Sequence, residues 1–422
     1  MTATLPAAAD PVAAALSEST TKLDIGGTHR MVPAEQTLDR VRPLCRFLGI
    51  TRVANITGLD WLGIPVVAVY RPNSRSLSVS QGKGVTLAAA RASGVMEAAE
   101  LAHAERIDRP LRLSSYAELS RTDLVADVSR LPFAAGRRFN EHVRMLWIEG
   151  YDLVQSERLW VPLELVSMDA TGQLPGAGCF QSTSNGLASG NHLLEAVSHA
   201  ICELVERDAT TLWQLGPPDR QRATSVDLAS VADPVCVGVL SKMAAAGMEV
   251  LAWDITSDIG IPAFSALIAE PPGDRARAIF TSMGMGCHPS HHIALLRALT
   301  EAAQSRLTLI AGSRDDVFRD EYRLSRQRLD ALRVYRQFTG PNGRRVGGPS
   351  PESETFQDDV RWQVARLVGR GFDRIIVCDL TDPSLGLPVV RVVVPGLESY
   401  RGAPDYVPGA RARALREGSQ SQ

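Results

Sequence analysis

Lysine is nearly missing from this 422-residue chain: only Lys22, Lys83 and Lys242 occur, and arginine supplies the rest of the 45 basic residues set against 47 acidic ones. The formal net charge of −2 gives no overall attraction for nucleic acid or an anionic membrane, so any phosphate must be bound by a local arrangement. No apolar run reaches the length that crosses a bilayer. The first twenty residues are alanine-rich, yet they carry Asp10 and Glu18 and lack a basic start, which argues against a secretory signal. None of the six cysteines (Cys45, Cys179, Cys202, Cys236, Cys287, Cys378) stands in a C-x-x-C or a zinc-type Cys/His spacing. That usage fits a reduced, cytoplasmic protein without structural zinc.

Missing motifs narrow the chemistry further. Gly82-Lys83-Gly84 touches the outline of a phosphate loop, but the full G-x-x-x-x-G-K-[ST] is absent, as is G-x-G-x-x-G. Both of those nucleotide folds are therefore excluded. No G-x-S-x-G elbow marks a nucleophilic serine, and no H-E-x-x-H marks a metalloprotease. His103, His199, His288, His291 and His292 read as packing or surface histidines, and Cys287 as a small buried residue beside a turn.

What is present centres on Ser184 to Asp208, SNGLASGNHLLEAVSHAICELVERD, where a glycine-punctuated turn runs into a long helical pattern. At about 100° per residue, Glu195, Glu203 and Glu206 share one stripe, while Leu194, Val197, Ile201 and Val205 occupy the other sides. Glu203 and Glu206, at i and i+3, aim two carboxylates at one place. A second helix repeats the device with Ser93, Glu97 and Glu100 at i, i+4 and i+7. Such pairs repel themselves and tend to keep a proton, and a divalent cation relieves both problems. Hard oxygen ligands in that number suit Mg²⁺ held between carboxylates and nucleotide phosphates. Spacing alone leaves ordinary solvated helix faces equally open. A third helix puts Arg297, Glu301 and Gln304 on one face after Gly284-Met285-Gly286-Cys287-His288-Pro289, again with a surface helix as the alternative.

One β-rich phrase is written three times, at residues 50–72, 248–272 and 373–395. Each copy has a β-rich run, an Asn/Asp-centred turn, Gly-(Ile/Leu)-Pro and a second β-rich run. The first two copies lead to helices, at Ala88–Glu105 and Ile293–Ala311, and the third leads only to the C-terminal tail. The expected fold is α/β of the α+β kind, with duplicated strand-turn-strand units forming mostly antiparallel sheets and helices packed on them. Residues 1–22 are expected as a disordered tail, 23–400 as one domain and 401–422 as a flexible tail. Residues 313–359 read as an exposed helical excursion with a loop near Gly340–Pro351, followed by a helix at Thr355–Gly369.

Taken together, these residues resemble the YcaO family of ATP-dependent peptide-amide activators, over about Gly27 to Glu398. The family's S-x-x-x-E-x-x-E-R appears as Ser93, Glu97 and Glu100, with Leu101 where the arginine is expected. Its second motif is matched by Asn191, Glu195, Glu203, Glu206 and Arg207, and its E-x-x-Q by Glu301 and Gln304. The resemblance implies that Glu97, Glu100, Glu203 and Glu206 hold Mg²⁺ against the phosphates of ATP. It implies nucleotide contacts from Ser93, Asn191, Glu195, Arg207, Glu301 and Gln304, with Arg207 also neutralising developing charge in catalysis. Arg30 and Thr37 match an N-terminal phosphate- and nucleotide-contacting stretch.

The implied reaction is ATP-driven O-phosphorylation of a peptide backbone amide. External sulfide as nucleophile gives a thioamide, and a neighbouring Cys, Ser or Thr gives an azoline. The stretch GTHRMVPAEQTLDRVRPLCRFLGITRVANITGLDWLGIPVVAVYRP resembles members that work beside a TfuA-type partner, and the P-x-P-x-P ending of azoline-forming members is absent. The expectation is a thioamide synthase acting on a ribosomally made precursor peptide delivered by a TfuA-like or other partner protein. A cyclodehydratase and a non-catalytic nucleotide-binding accessory subunit are the alternatives. Nucleic acid and membrane are not expected as partners, and a homodimer is left open.

Overall fold

The computed structural model describes residues 10–420 except 173, 177, 271–280, 318–334, 341–342, 349 and 352. Much of the expected excursion at 313–359 lies outside the described residues. The helices are α1 (Pro11–Ser17), α2 (Ala34–Val41), α3 (Leu87–Glu105), α4 (Tyr116–Leu119), α5 (Leu193–Leu215), α6 (Pro218–Arg222), α7 (Pro234–Ala245), α8 (His291–Ala311), α9 (Phe356–Val368) and α10 (Ala410–Gln420). The strands are β1 (Leu23–Asp24), β2 (His29–Arg30), β3 (Arg52–Asn55), β4 (Val66–Tyr70), β5 (Val79–Lys83), β6 (Leu111–Ser114), β7 (Met145–Asp152) and β8 (Glu157–Pro162). They continue as β9 (Leu187–Ser189), β10 (Glu249–Asp254), β11 (Ala263–Ala269), β12 (Thr281–Cys287), β13 (Ile376–Asp379) and β14 (Val389–Val393). None of the described helices is long and apolar enough to cross a membrane.

All three repeated phrases fold as antiparallel hairpins: β3–β4, β10–β11 and β13–β14. In each, the second strand takes a third antiparallel partner, β5, β12 and β9 respectively. The central strands β4 and β11 are buried almost throughout, and their near-continuous apolar runs, VVAVY and AFSALIA, suit burial on both faces. The third hairpin was expected to lead only to the tail. Instead it borrows its third strand, β9, and the helix that follows, α5, from about two hundred residues earlier in the chain. The molecule is therefore built from three β-β-β-α units, and the last is closed by pieces distant in sequence. On the side away from β9 this sheet continues through β7 to β6, with β8 paired to β7.

Each helix docks on its own third strand with the same register. A Cβ added to Gly82 of β5 would lie 2.1 Å from Ala90 O and from Gly94 N of α3. At Gly286 of β12 it would meet Ala294 O at 2.2 Å and Ala298 N at 2.6 Å, at the same offsets along α8. A Cβ at Gly84 would lie 2.7 Å from Ala90 N, and one at Gly190 just past β9 would lie 2.8 Å from Ala196 N of α5. Backbone-to-backbone approach of this kind needs strands without side chains at the contact. Capping fixes where the helices begin and end. Thr86 accepts the Ala89 N–H at 3.1 Å at the start of α3, and α8 ends in Gly312 at φ 56°, a left-handed cap that glycine adopts freely.

The units also interlock in a ring. α3 packs on β9 of the third unit, α5 on β12 of the second, and α8 on β5 of the first. Parts of both expected tails are helical, as α1 and α10. Val12 and Ala15 of α1 are buried against α5, and Ala412 of α10 is fully buried. Arg411 of that last helix pairs with the buried Asp208 of α5 at 2.9 Å. Apolar residues at these positions pay for their ordering by burying surface that a tail would expose.

The docking geometry predicts its own test. Gly82→Ala and Gly286→Ala should each destabilise the fold by about 3 kcal/mol or more in urea denaturation, because rigid backbone occupies the new methyl position. Gly58→Ala, with nothing near its Cβ position, should stay within ~0.5 kcal/mol of the parent.

Candidate active site

The ring of three helices encloses a cavity of about 1000 Å³. Its wall holds every residue that the sequence put forward: Arg30, Thr37, Ser93, Glu97, Glu100, Asn191, Glu195, Glu203, Glu206, Arg207, Glu301 and Gln304. The shared docking register explains why. Glu97, Glu203 and Glu301 occupy equivalent places on α3, α5 and α8, and Glu100, Glu206 and Gln304 follow three residues later. The first member of each set is fixed by backbone. Gln81 N–H donates to Glu97 Oε1 at 3.3 Å, Gly186 N–H to Glu203 Oε2 at 3.0 Å, and Met285 N–H to Glu301 Oε1 at 3.3 Å.

The interlocking of units adds a second set of contacts. Ser189 of β9 reaches α3, giving Glu100 Oε1 its N–H at 2.9 Å and its hydroxyl at 2.7 Å. Lys83 of β5 reaches α8, and its Nζ lies 2.6 Å from Glu301 Oε2. Arg207, one turn beyond Glu203, spans both carboxylates of its own helix, at 3.4 Å from Glu203 and 3.3 Å from Glu206. Its guanidinium also lies 5.7 Å from the centre of the Tyr400 ring. The flanks of Tyr400 are tied to α5: Thr211 Oγ1 donates to Ser399 O at 2.8 Å, and Arg401 N–H donates to Thr211 Oγ1 at 3.0 Å.

At the other end of α5, Glu195 accepts from Arg30 Nη1 at 3.3 Å and from Met31 N–H at 3.1 Å. The tight β1–β2 turn over Gly26 and Gly27, both at positive φ, delivers Arg30 to this position. Asn191 Nδ2 donates to Thr37 Oγ1 at 3.0 Å, which joins α2 to the start of α5. Arg297 takes the place on α8 that Ser93 holds on α3 and His199 on α5. It donates to Cys287 O at 3.0 Å and lies 2.7 Å from His199 Nδ1.

Burial sets the protonation of this wall. It raises the carboxyl of Glu100 to about 8, with the Glu97 and Glu203 charges adding to the rise. It raises Glu206 to about 7 even though Arg207 opposes it, and Glu97 is raised by the same cause. Glu301 goes the other way: burial pushes it up, but Lys83 and then Arg207 more than offset that. His199 is held neutral, well below its usual range, by burial and then by Arg297. Among the described residues no three His, Cys, Asp or Glu side chains are gathered tightly enough to hold a metal unaided. The wall instead offers two-carboxylate sites that need further oxygens from a ligand, which is the usual habit of Mg²⁺.

A family model described as YcaO cyclodehydratase, ATP- and Mg²⁺-binding, matches residues 81–398. The chain belongs to the YcaO family. The uncharacterized protein in the tfuA 3′ region of Rhizobium leguminosarum bv. trifolii is 42% identical over 381 residues, 87% of this chain and 88% of the relative. A Methanothermobacter thermautotrophicus protein is 35% identical over 91% of this chain and 98% of its own length. Among solved structures, YcaO from Methanopyrus kandleri bound with AMPPCP and Mg²⁺ superposes with a TM-score of 0.70 at 25% identity, covering 92% of this chain and all of that one. A heterocyclase in complex with substrate and cofactor superposes at 0.76 with 24% identity, a likeness of fold. It covers 90% of this chain, which spans only 54% of the heterocyclase.

Four residues of the YcaO cavity escaped the sequence reading. In sequence His199 reads as packing or surface, although it sits four residues from both Glu195 and Glu203 and so shares their stripe. Lys83 was noticed only as part of a failed phosphate loop. Arg314 and Tyr400 line the cavity from segments whose sequence carries no periodic signal.

The raised Glu100 carboxyl gives a pH-dependent expectation. Its ordinary value is 4.5 and its folded value is about 8, so the folded protein takes up a proton between those limits and stability falls as pH rises through them. Glu100→Gln keeps an acceptor for Ser189 and removes that cost. It should stabilise the ligand-free protein by on the order of 4 kcal/mol at pH 8 and by under about 1 kcal/mol at pH 5. Urea denaturation at the two pH values checks this, and an equal effect at both would contradict it.

Proposed function

We propose that this protein uses ATP and Mg²⁺ to O-phosphorylate a peptide backbone amide, forming a thioamide on a ribosomally synthesised peptide with a TfuA-like partner. The observation that carries the reading is the convergence of the Glu97/Glu100 and Glu203/Glu206 pairs and Arg207 on one cavity. Three of those four carboxyls resist ionisation in the ligand-free protein, and a divalent cation removes the cause. The residues present therefore fit Mg²⁺, which when bound supplies charge neutralisation for the triphosphate. Binding below neutral pH has to expel protons from Glu100 and Glu206, so metal affinity should rise with pH.

In this reading the four glutamates orient the phosphates, and Ser93, Thr37, Asn191, Glu195, Gln304 and Arg30 contact the nucleotide. Arg207, paired to Glu203 and Glu206, would stand beside any cation those carboxylates hold and supply a guanidinium against the charge on the phosphoryl group. Sulfide adds to the amide carbon, the amide oxygen takes the γ-phosphoryl with release of ADP, and that oxygen leaves with phosphate as the sulfur loses its proton and the C=S bond forms. Positioning and charge neutralisation carry such a transfer. The tfuA neighbourhood of the 42% identical relative supports the sulfide branch. The heterocyclase likeness favours a second reading, in which an adjacent Cys, Ser or Thr attacks and an azoline forms.

Two measurements test this. Glu203→Gln keeps an acceptor for Gly186 N–H but leaves its pair one charge short. Affinity for a non-hydrolysable ATP analogue with Mg²⁺ should fall by on the order of 100-fold at an unchanged melting temperature. Incubation with ATP, sulfide, the partner and the peptide should add the mass of one oxygen-to-sulfur exchange. Loss of one water instead would select the azoline, and unchanged nucleotide affinity in Glu203→Gln would remove the metal assignment.

A further inference from the structure

The repeat places three residues at one equivalent strand position, immediately after the point of closest helix docking: Lys83 on β5, Ser189 on β9 and Cys287 on β12. At each position the strand of one unit faces the helix of another, α8 for β5, α3 for β9 and α5 for β12. Two of the three side chains are small. Ser189 serves Glu100 by hydrogen bonds, and Cys287 is buried near Glu206. Only the first unit puts a cation there, and it sits 2.6 Å from the carboxylate of the facing helix.

We propose that Lys83 fills the third acidic position of the ring, Glu301 with Gln304, in place of a metal ion, and is the fixed cation by which this unit contacts bound triphosphate. The inference rests on the nucleotide reading above. The charge at each position supports it. Glu97 with Glu100 and Glu203 with Glu206 each bring two carboxylates, whereas Glu301 is followed by the neutral Gln304, so one ammonium balances the site. An ammonium is a compact point charge with three donors, and the pair with Glu301 leaves donors for phosphate oxygens. Lys83 remains about a quarter exposed to the cavity, so those donors can be reached. Its backbone is held between Gly82 and Gly84, neither of which has room for a Cβ, so the cation is placed before any ligand arrives. In a chain that otherwise uses arginine almost everywhere, a lysine here avoids a planar fork too wide for the place of an ion.

Exclusion of metal by the lysine is directly measurable with Mn²⁺ alone, counted by the loss of free-ion electron paramagnetic resonance signal. Lys83→Met combined with Gln304→Glu recreates the two-carboxylate chemistry of the other helices. This double variant should bind one more Mn²⁺ per chain than the parent, while Gln304→Glu with the lysine in place should bind no more. An extra ion in the single variant, or none in the double variant, overturns the proposal, and a melting temperature near the parent's certifies that each variant is folded. Lys83→Met alone should weaken a non-hydrolysable ATP analogue about tenfold while leaving adenosine binding unchanged. Equal losses for both would reduce Lys83 to a structural role. Because these readouts are differences between variants, they stand apart from the Glu203→Gln result that tests the nucleotide reading itself.

Discussion

The site is governed by a conflict between burial and charge. Glu97, Glu100, Glu203, Glu206 and Glu301 line one cavity, and burial raises the carboxyls of Glu97, Glu100 and Glu206 because the charged form is costly there. Within the ligand-free protein the conflict is only partly settled. Arg207 serves one pair and Lys83 serves Glu301, while Glu97 and Glu100 depend on backbone N–H groups and a serine hydroxyl. In the proposed reading, the remainder of the electrostatic demand makes the cavity a receptor for cations and, through them, for anions. Stability is given up locally to hold these groups together, and the large apolar clusters around α5, α8 and the three hairpins offset it.

Holding like charges in register requires a rigid frame, and the glycine-backed docking of helix on strand provides it. Where Gly82 and Gly286 meet the backbones of α3 and α8 there is no side chain to repack, so the helices cannot slide relative to their strands without losing the fit. The same register then repeats the direction in which an E-x-x-E or E-x-x-Q stripe points. A ring of three such units, each helix seated on the next unit's strand, converts a repeated local geometry into convergence on one cavity. No long-range pattern in the sequence is needed for this, only the same short step taken three times.

That explains which parts could be read beforehand. The hairpins were legible because each phrase carries two β-rich runs about an Asn/Asp turn, and the glutamates because i, i+3 and i+4 spacing is a property of one helix. The closure of the third unit was not legible. β9 is three residues long and lies far from its hairpin in sequence, so nothing local marks Leu187–Ser189 as its third strand. Lys83 was dismissed because a phosphate loop needs its motif on one continuous segment, whereas here the lysine comes from β5 and its carboxylate from α8. The placing of α1 and of α10 likewise depends on long-range contacts with α5, namely the seating of α1 on it and the Arg411–Asp208 pair. Alanine-rich or polar segments of this kind look like tails until a partner surface is known.

A ring of equivalent units would by itself give three equivalent sites, and a phosphoryl transfer needs a direction. The differences between equivalent positions supply one. One residue after each E-x-x-E/Q stripe stand Leu101, Arg207 and Ser305, so a single arginine faces the cavity from this level. Leu101 is buried at the cavity wall and belongs to the apolar cluster that also holds Leu119, Met145 and Leu187. The charge at this level is therefore concentrated on α5, where Tyr400 gives Arg207 an aromatic face to rest on. Four residues before each first glutamate the equivalent positions hold Ser93, His199 and Arg297, again three chemistries on one frame, with His199 and Arg297 joined to each other. In the proposed reading, the repeated frame fixes distances and these substitutions set polarity: carboxylate pairs on two sides, a lysine on the third, and one arginine aimed across the space between them.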